Sequence, residues 1–173
     1  MAIYYNLAID CDQNEDLAKK IAAKYHGFSI STEQYGDIVC DSEHIYPKCY
    51  WGYPHKPSDA GDWHIVCISP RVGKHSETDK SMAIIRDALY QHLADPVNEL
   101  TGYRSALYGC EAQDYLGDED WLGDLNQLNE SAVLSRPQHG LIVAQSLVTN
   151  DALRKQLEPF SSGYLWFNRP MTN

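Results

Sequence analysis

Residues 2–31, AIYYNLAIDCDQNEDLAKKIAAKYHGFSIS, carry the pattern of a strand, then a helix, then a second strand. In the first part, apolar side chains stand at every second position: Ile3, Tyr5, Leu7 and Ile9. This period of two predicts a strand over 2–10 whose isoleucine face lies against the core. Leu17, Ile21 and Tyr25 then recur every four residues, which predicts an amphipathic helix that ends at Gly27. Residues 28–31 are expected to return as a short strand.

A second strand, helix and strand follow further along the chain. Residues 62–69, DWHIVCIS, are apolar at both alternations after the first residue, as expected of a central strand that is covered on both sides. The next helix has one apolar face: Met82, Ile85, Leu89 and Leu93. It is predicted to begin near Ser76 and to stop before Pro96. With a strand over 103–111, the order becomes that of the ferredoxin-like split βαβ pattern.

Residues 32–61 lie between these two units and show no clear period. We predict a long loop with one short strand over 37–40, and an ordinary hairpin is the alternative. After residue 111 we expect a helix through Trp121 and Leu125, a strand over 140–145, a short helix capped by Asn150 and a final strand over 163–167. The predicted fold is one α+β domain over 1–173, with a mixed or antiparallel sheet, helices packed on it and a C-terminal extension.

The composition is that of a globular protein with an excess of acid. Apolar residues make up 43% of the chain, charged residues 22%, and the formal net charge is −10. A field of this sign repels phosphate backbones, so nucleic acid is not expected as a direct partner. The sequence has no secretory signal pattern and no apolar run of membrane-spanning length, which predicts a cytoplasmic protein without a membrane partner. Five Cys at irregular spacings indicate thiols and not a disulfide framework.

The most one-sided segment of the chain is 105–135, SALYGCEAQDYLGDEDWLGDLNQLNESAVLS, which we call the acidic segment. It has seven Asp and Glu residues and no Lys or Arg. Negative charge beside aromatic rings is typical of surfaces that bind a cationic protein. The predicted partner-binding residues of this segment are Glu111, Asp114, Tyr115, Asp118, Glu119, Asp120, Trp121 and Asp124. The alternative is that 118–120 only stabilise the start of a helix and that the remaining acid aids solubility.

An aromatic run at 46–55, YPKCYWGYPH, adds three further predicted partner-binding residues: Tyr50, Trp51 and Tyr53. Pro and Gly disfavour helix and sheet there, so some of these rings are expected at the surface, where they would form the apolar centre of a protein contact. The alternative is a loop that packs its own rings against the domain.

Asp10-Cys11-Asp12 is the sharpest enzyme-like pattern, because two carboxylates after a strand suit Mg²⁺ beside a phosphate. The pattern resembles the nucleophile motif of the haloacid-dehalogenase-like phosphatases, and Ser69, Lys80 and 117–118 would then stand in for the later motifs of that family. The sequence departs from the family at Gln13 and in the residues before 117–118. The family is therefore not assigned, and Asn14 or Asp12 is equally expected as a helix N-cap.

Several Cys and His residues, the donors that zinc prefers, lie between 40 and 64: Cys40, His44, Cys49, His55 and His64. Their spacing lacks the tight paired knuckle of structural zinc sites, so no metal is predicted. Glycine-rich phosphate loops, nucleophile elbows and zinc-protease motifs are also missing from the sequence. No catalytic residue and no cofactor are assigned.

These observations favour a small protein-binding module over an enzyme. The concrete expectation is an inhibitor or immunity-type protein whose acidic, aromatic surface masks the basic active site of a toxin or nuclease. A magnesium-dependent phosphate-handling enzyme that uses Asp10 and Asp12 is the first alternative, and a structural subunit of a larger assembly is the second. The sequence leaves the oligomeric state and the identity of the partner open.

Overall fold

The computed structural model describes residues 5–33, 36–45, 64–70, 79–110, 112, 116, 121–127 and 140–167. Within these ranges the chain forms eight strands: β1 (Tyr5–Asp10), β2 (Ser29–Thr32), β3 (Gly36–Ile45), β4 (Ile65–Pro70), β5 (Ser105–Cys110), β6 (Ile142–Ala144), β7 (Glu158–Ser161) and β8 (Tyr164–Trp166). The helices are α1 (Glu15–Tyr25), α2 (Asp79–Ala94), α3 (Trp121–Asn126) and α4 (Asp151–Arg154), with short 3₁₀ turns at Pro96–Asn98 and Gln145–Leu147.

The eight strands form one antiparallel sheet in the order β2-β3-β4-β1-β5-β6-β8-β7. Because β1 is antiparallel to β4 and β4 to β3, strands β1 and β3 run parallel with β4 between them. In the same way β4 and β5 run parallel on either side of β1. The connection from β1 through α1 and β2 to β3 and the connection from β4 through α2 to β5 therefore form two split βαβ units, which confirms the predicted α+β class. The strand parallel to β1 is β3 and not the predicted strand over 28–31. Strand β2 is an addition to this βαβ pattern, and β6, β8 and β7 form the C-terminal extension.

Strand β1 lies at the centre of the sheet and is buried on both faces. Leu7 and Ile9 belong to a first core, which α1 and α2 cover, whereas Ala8 belongs to a second core on the opposite face. All three residues are fully buried. The prediction of a strand with a single inward face was therefore incomplete. A strand that is buried on both faces requires a covering layer on each side of the sheet.

The short strand predicted over 37–40 is confirmed, but it is part of the ten-residue strand β3, and the prediction of a loop was wrong for 41–45. Its first half pairs with β2, so the alternative, a hairpin, is correct there. Its second half pairs with β4 over six register positions, Cys40–Ile45 with Pro70–Ile65. Residues 41–44 are polar and show no apolar alternation, so the sequence did not predict this half of the strand. Its pairing with β4, which is distant in sequence, stabilises it. The remainder of the predicted loop, 46–61, lies outside the described residues.

Local capping residues are placed as expected. The Asn14 side chain accepts a hydrogen bond from the Leu17 amide at 3.0 Å and so begins α1, and Gly27 follows that helix with φ +76°. Asn150 accepts from the amides of Ala152 and Leu153 at the start of α4. Strand β7 was missed because Pro159 interrupts its pattern, and β7 is an edge strand with irregular pairing to β8, where proline is tolerated.

The two cores are closed by different parts of the chain. The first contains Ile21 and Tyr25 of α1 and Ile85 and Leu89 of α2. The second contains Leu107 of β5 and Val143 of β6 together with buried residues from the acidic segment and the C-terminal region: Ala112, Leu116, Leu125, Val148, Leu153 and Leu157. In the part of the chain that is described, no helix is long and apolar enough to cross a membrane.

A buried tyrosine joins α2 to β5 and to the turn before β6. The Tyr90 hydroxyl donates to the Gly140 carbonyl and accepts from the Tyr108 amide at 3.0 Å. Gly140 has φ +98°, and a Cβ atom built on it would lie 2.7 Å from Cε2 of Tyr90. A residue other than glycine would thus be strained at this position and would also displace the ring.

We predict that Gly140→Ala lowers the free energy of unfolding by about 2–5 kcal/mol, the sum of left-handed backbone strain and overpacking against Tyr90. Gly163→Ala is the matched control, because Gly163 has φ +85° but no atom lies within 4 Å of the position that its Cβ would take. It should lose only about 1–2 kcal/mol. Urea unfolding of both variants measures the difference, and equal losses would contradict the contact with Tyr90.

Candidate functional site

Only two of the predicted partner-binding residues fall within the described parts of the chain. Trp121 and Asp124 lie in α3, and the structure describes their backbone but not their side chains. The others lie outside the described residues: Glu111, Asp114, Tyr115, Asp118, Glu119, Asp120, Tyr50, Trp51 and Tyr53. Their prediction as a partner surface is untested by the fold.

Beyond β5, three apolar residues of the acidic segment are buried in the second core. Ala112, Leu116 and Leu125 have 1%, 0% and 1% of their surface exposed. They belong to the same cluster as Ala8 of β1 and Leu107 of β5, so they cover the sheet face opposite α1 and α2. Burial of two leucines contributes about 3–6 kcal/mol of transfer free energy. The segment is therefore part of the folded core at these three positions.

Asn126 fastens the end of α3 to the segment that follows β6. Its side-chain nitrogen donates to the carbonyls of Leu122 and Leu147 at 3.1 and 3.0 Å. Its side-chain oxygen accepts from the amide and the hydroxyl of Thr149 at 2.8 and 3.1 Å. The Asn150 side chain donates in turn to the Asn126 carbonyl at 2.8 Å. Four of these five hydrogen bonds, all except the one to Leu122 within the helix, join α3 to residues 147–150. This helix carries Trp121 and Asp124.

Asp10 and Asp12, the residues of the enzyme alternative, contact an arginine. Asp10 ends β1 and is fully buried, whereas the Asp12 side chain is 57% exposed. Nε of Arg104 lies 3.7 Å from Oδ2 of Asp10, and Nη1 lies 3.4 Å from Oδ1 of Asp12. Arg104 precedes β5, whose Ser105 is the register partner of Asp10. One guanidinium thus lies within 4 Å of both carboxylates.

The same carboxylates shape the turn between β1 and α1. Asp12 has φ +54°, and its amide donates to Oδ1 of Asp10 at 2.8 Å. His64 closes the turn from the other side, since its carbonyl accepts from the Cys11 amide and its amide donates to the Asp12 carbonyl. Aspartate tolerates the left-handed conformation better than most residues. The Asp10 carboxylate and the Asp12 backbone therefore have a structural role in this turn.

A cleft of about 550 Å³ opens beside this turn and is lined by residues 11–16, Gly102 and Arg104. Burial raises the pKa of the Cys11 thiol to about 12, with a smaller contribution from Asp10, so this thiol is protonated at neutral pH and is a poor nucleophile. The other charged groups at the cleft are Asp12, Glu15 and Asp16, which oppose binding of an anion at the start of α1. The cleft has no arrangement that defines a reaction.

The candidate zinc residues are not brought together within the described ranges. Cys40 is 2% exposed, and burial raises its pKa to about 11, which favours a protonated thiol over a metal-binding thiolate. His64 is buried at the turn after Asp12. The side chain of His44 and all of Cys49 and His55 lie outside those ranges. Among the described residues, no group of three or more His, Cys, Asp or Glu is placed to hold a metal ion.

Neither Arg104 nor Asn126 is among the site residues predicted from the sequence. A signal existed for the first, because Arg104 is the only Lys or Arg between 87 and 135 and such an isolated cation beside so many acids suggests a specific pair. Asn126 has no comparable signal in the sequence, since its partners outside α3 are 21 to 24 positions away.

Comparison with family models, with curated proteins and with solved structures finds no significant match for this chain.

We predict that Arg104→Met lowers the free energy of unfolding by about 3 kcal/mol, because it removes the cation beside the buried Asp10 carboxylate while keeping most of the side-chain volume. Asp12→Asn should lose less than about 1 kcal/mol, since the Asp12 side chain is largely exposed. Both values come from urea unfolding at pH 7. If Arg104→Met is no more costly than Asp12→Asn, the carboxylate of Asp10 does not depend on the arginine.

Proposed function

We propose that this protein is a binding module for a basic protein and that the acidic segment is its binding surface. The observation that carries the proposal is the anchoring of that segment. Leu116 and Leu125 are buried in the second core and Asn126 is clamped to the C-terminal region, while the surrounding sequence holds seven carboxylates and no cation of its own. A strongly acidic segment attached to a folded scaffold loses less entropy on binding than a free acidic tail.

The mechanism follows from charge and desolvation. Carboxylates at 118–120 would steer a basic partner into contact and pair with Lys or Arg side chains that otherwise bind phosphates. Tyr115 and Trp121 would supply aromatic anchors, the residue types that dominate protein interfaces. A toxin or nuclease has a basic active site of this kind, so an inhibitor or immunity-type role is the specific form of the proposal.

The enzyme alternative has less support. It requires Asp10 and Asp12 to bind Mg²⁺. In the fold both carboxylates lie beside Arg104, and the Asp10 carboxylate accepts a hydrogen bond from the Asp12 amide in the turn after β1. The alternative of a structural subunit has no specific observation in its favour.

We predict that the combined change Asp118→Lys, Glu119→Lys and Asp120→Lys abolishes retention of a basic protein in affinity capture from the source lysate. The change reverses the charge at the densest part of the acidic segment. Moderate salt should weaken retention by the wild type, because screening acts on exposed charge pairs. Mass spectrometry identifies the retained protein, and kinetics with the purified partner should show the loss mainly in the association rate.

The matched control reverses three exposed glutamates elsewhere, Glu33→Lys, Glu43→Lys and Glu158→Lys, with the same change in net charge. It should retain the partner, as should Asp12→Asn. If both triple variants lose the partner equally, retention depends on the net charge of the protein and not on the acidic segment. If neither does, the acidic segment is not the binding surface.

A further inference from the structure

His92 lies in the last turn of α2, where its ring packs between two other elements. Its ring centroid is 4.1 Å from that of Phe28, which precedes β2, and 4.7 Å from that of Tyr25 at the end of α1. The 3₁₀ turn at Pro96–Asn98 reaches the ring from the remaining side through Asn98. One imidazole therefore contacts each element that meets at this corner of the fold.

The hydrogen bonds of the ring select one neutral form. Nε2 lies 3.2 Å from the Lys24 carbonyl, which can only accept, and Nδ1 lies 3.3 Å from the side-chain nitrogen of Asn98, which can only donate. The same Asn98 nitrogen donates to the His92 carbonyl at 2.9 Å, so rotating the amide would set two oxygens against each other. The satisfied state thus carries its proton on Nε2 and leaves Nδ1 as an acceptor.

A second proton on Nδ1 would point at the Asn98 donor. The other groups at the corner act in both directions: burial and the Lys24 ammonium oppose the charged ring, while Asp95, the Lys24 carbonyl and the C-terminal end of α2 favour it. The balance lowers the pKa of His92, with burial as the main cause. The second histidine of the corner, His26, has its Nδ1 atom 3.6 Å from Oδ1 of Asp41 in β3.

The corner also fixes the start of the β2–β3 hairpin. The Phe28 carbonyl accepts from the Cys40 amide at 2.8 Å, and the Gly27 amide donates to the Cys40 carbonyl at 3.1 Å. These two bonds join the end of α1 to the middle of β3, directly beside the ring that His92 contacts. Loss of the His92 contacts would therefore loosen the attachment of the hairpin before it affects the centre of the sheet.

We propose that His92 is a pH-sensitive latch, which holds the corner between α1, α2 and the β2–β3 hairpin closed while the ring is neutral and releases it when the ring is protonated. A folded-state pKa below the ordinary value means that the open and unfolded states take up the proton first. The stabilisation is fully present above about pH 6.5, the ordinary pKa of His, and is lost as the pH falls through the lowered value. The inference is independent of the proposed partner.

Two measurements on the full chain test the latch. NMR titration should give a His92 pKa below the ordinary value in the wild type, with the Nε2–H tautomer at neutral pH. Asn98→Asp places an acceptor beside Nδ1 and should raise the pKa above the ordinary value. The second measurement is hydrogen exchange of the Gly27 and Cys40 amides, corrected for intrinsic rates. Their protection factors should fall between pH 7 and 5.5, by up to about tenfold for each unit by which the His92 pKa differs between the closed and open states.

His92→Phe keeps an aromatic ring against Phe28 but cannot titrate, so protection of these two amides should become independent of pH. His26→Gln is the control, because it removes the other histidine of the corner and leaves His92 in place. Its Gly27 and Cys40 amides should lose protection with falling pH as they do in the wild type. An ordinary or raised His92 pKa in the wild type would overturn the proposal, as would the Nδ1–H tautomer. If the loss of protection with falling pH persists in His92→Phe, the proposal is also overturned. If His92→Phe does not fold, the His92 pKa of Asn98→Asp provides the test.

Discussion

The burial of β1 on both faces is the constraint on which the rest of the structure depends. A strand that has β4 on one side and β5 on the other, with Leu7 and Ile9 on one face and Ala8 on the opposite one, is stable only if both faces are covered. Helices α1 and α2 cover the first face. The second face is covered by the acidic segment and by 148–157, where the described residues form no helix comparable in length to α2. Ala112, Leu116 and Leu125 of the acidic segment therefore belong to a structural layer.

The two sets of carboxylates differ in environment and so in role. Asp10 is fully buried, and its negative charge is tolerated because Arg104 and the Asp12 amide lie beside it. Losing one partner of a buried pair typically costs about 3–5 kcal/mol, whereas an exposed pair contributes about 0–1 kcal/mol. The arginine of this pair comes from just before β5, so pairing at the end of β1 engages Arg104, one of the two arginines that flank the acidic segment; the other is Arg136. The carboxylates at 118–120 have no cation near them in sequence, and a basic protein would supply one.

Elements decided by neighbouring residues were predictable. Helix α1 followed from the spacing of Leu17, Ile21 and Tyr25 and from its cap at Asn14, and β4 followed from apolar residues at both alternations. The second half of β3 was not predictable in this way, because its polar residues are held by register with β4, about twenty or more positions away. The same holds for the candidate sites. The charge pattern was sufficient to identify the acidic segment from the sequence. Its burial at Leu116, its hydrogen bonds at Asn126 and the pairing of Asp10 with Arg104 were not predictable, because the partners are brought together only by the fold.

The most direct test of this account is whether the acidic segment is part of the cooperative fold. Leu116→Ala should lower the free energy of unfolding of the whole domain by about 2–5 kcal/mol, because Leu116 is fully buried in the second core. The amides of β1 should lose exchange protection by the same free energy. Leu122→Ala, at a partly buried position of the same segment, should cost less. If Leu116→Ala instead leaves both the unfolding transition and the protection of β1 unchanged, the segment is not the cover of the second sheet face and the proposed preorganised surface loses its basis.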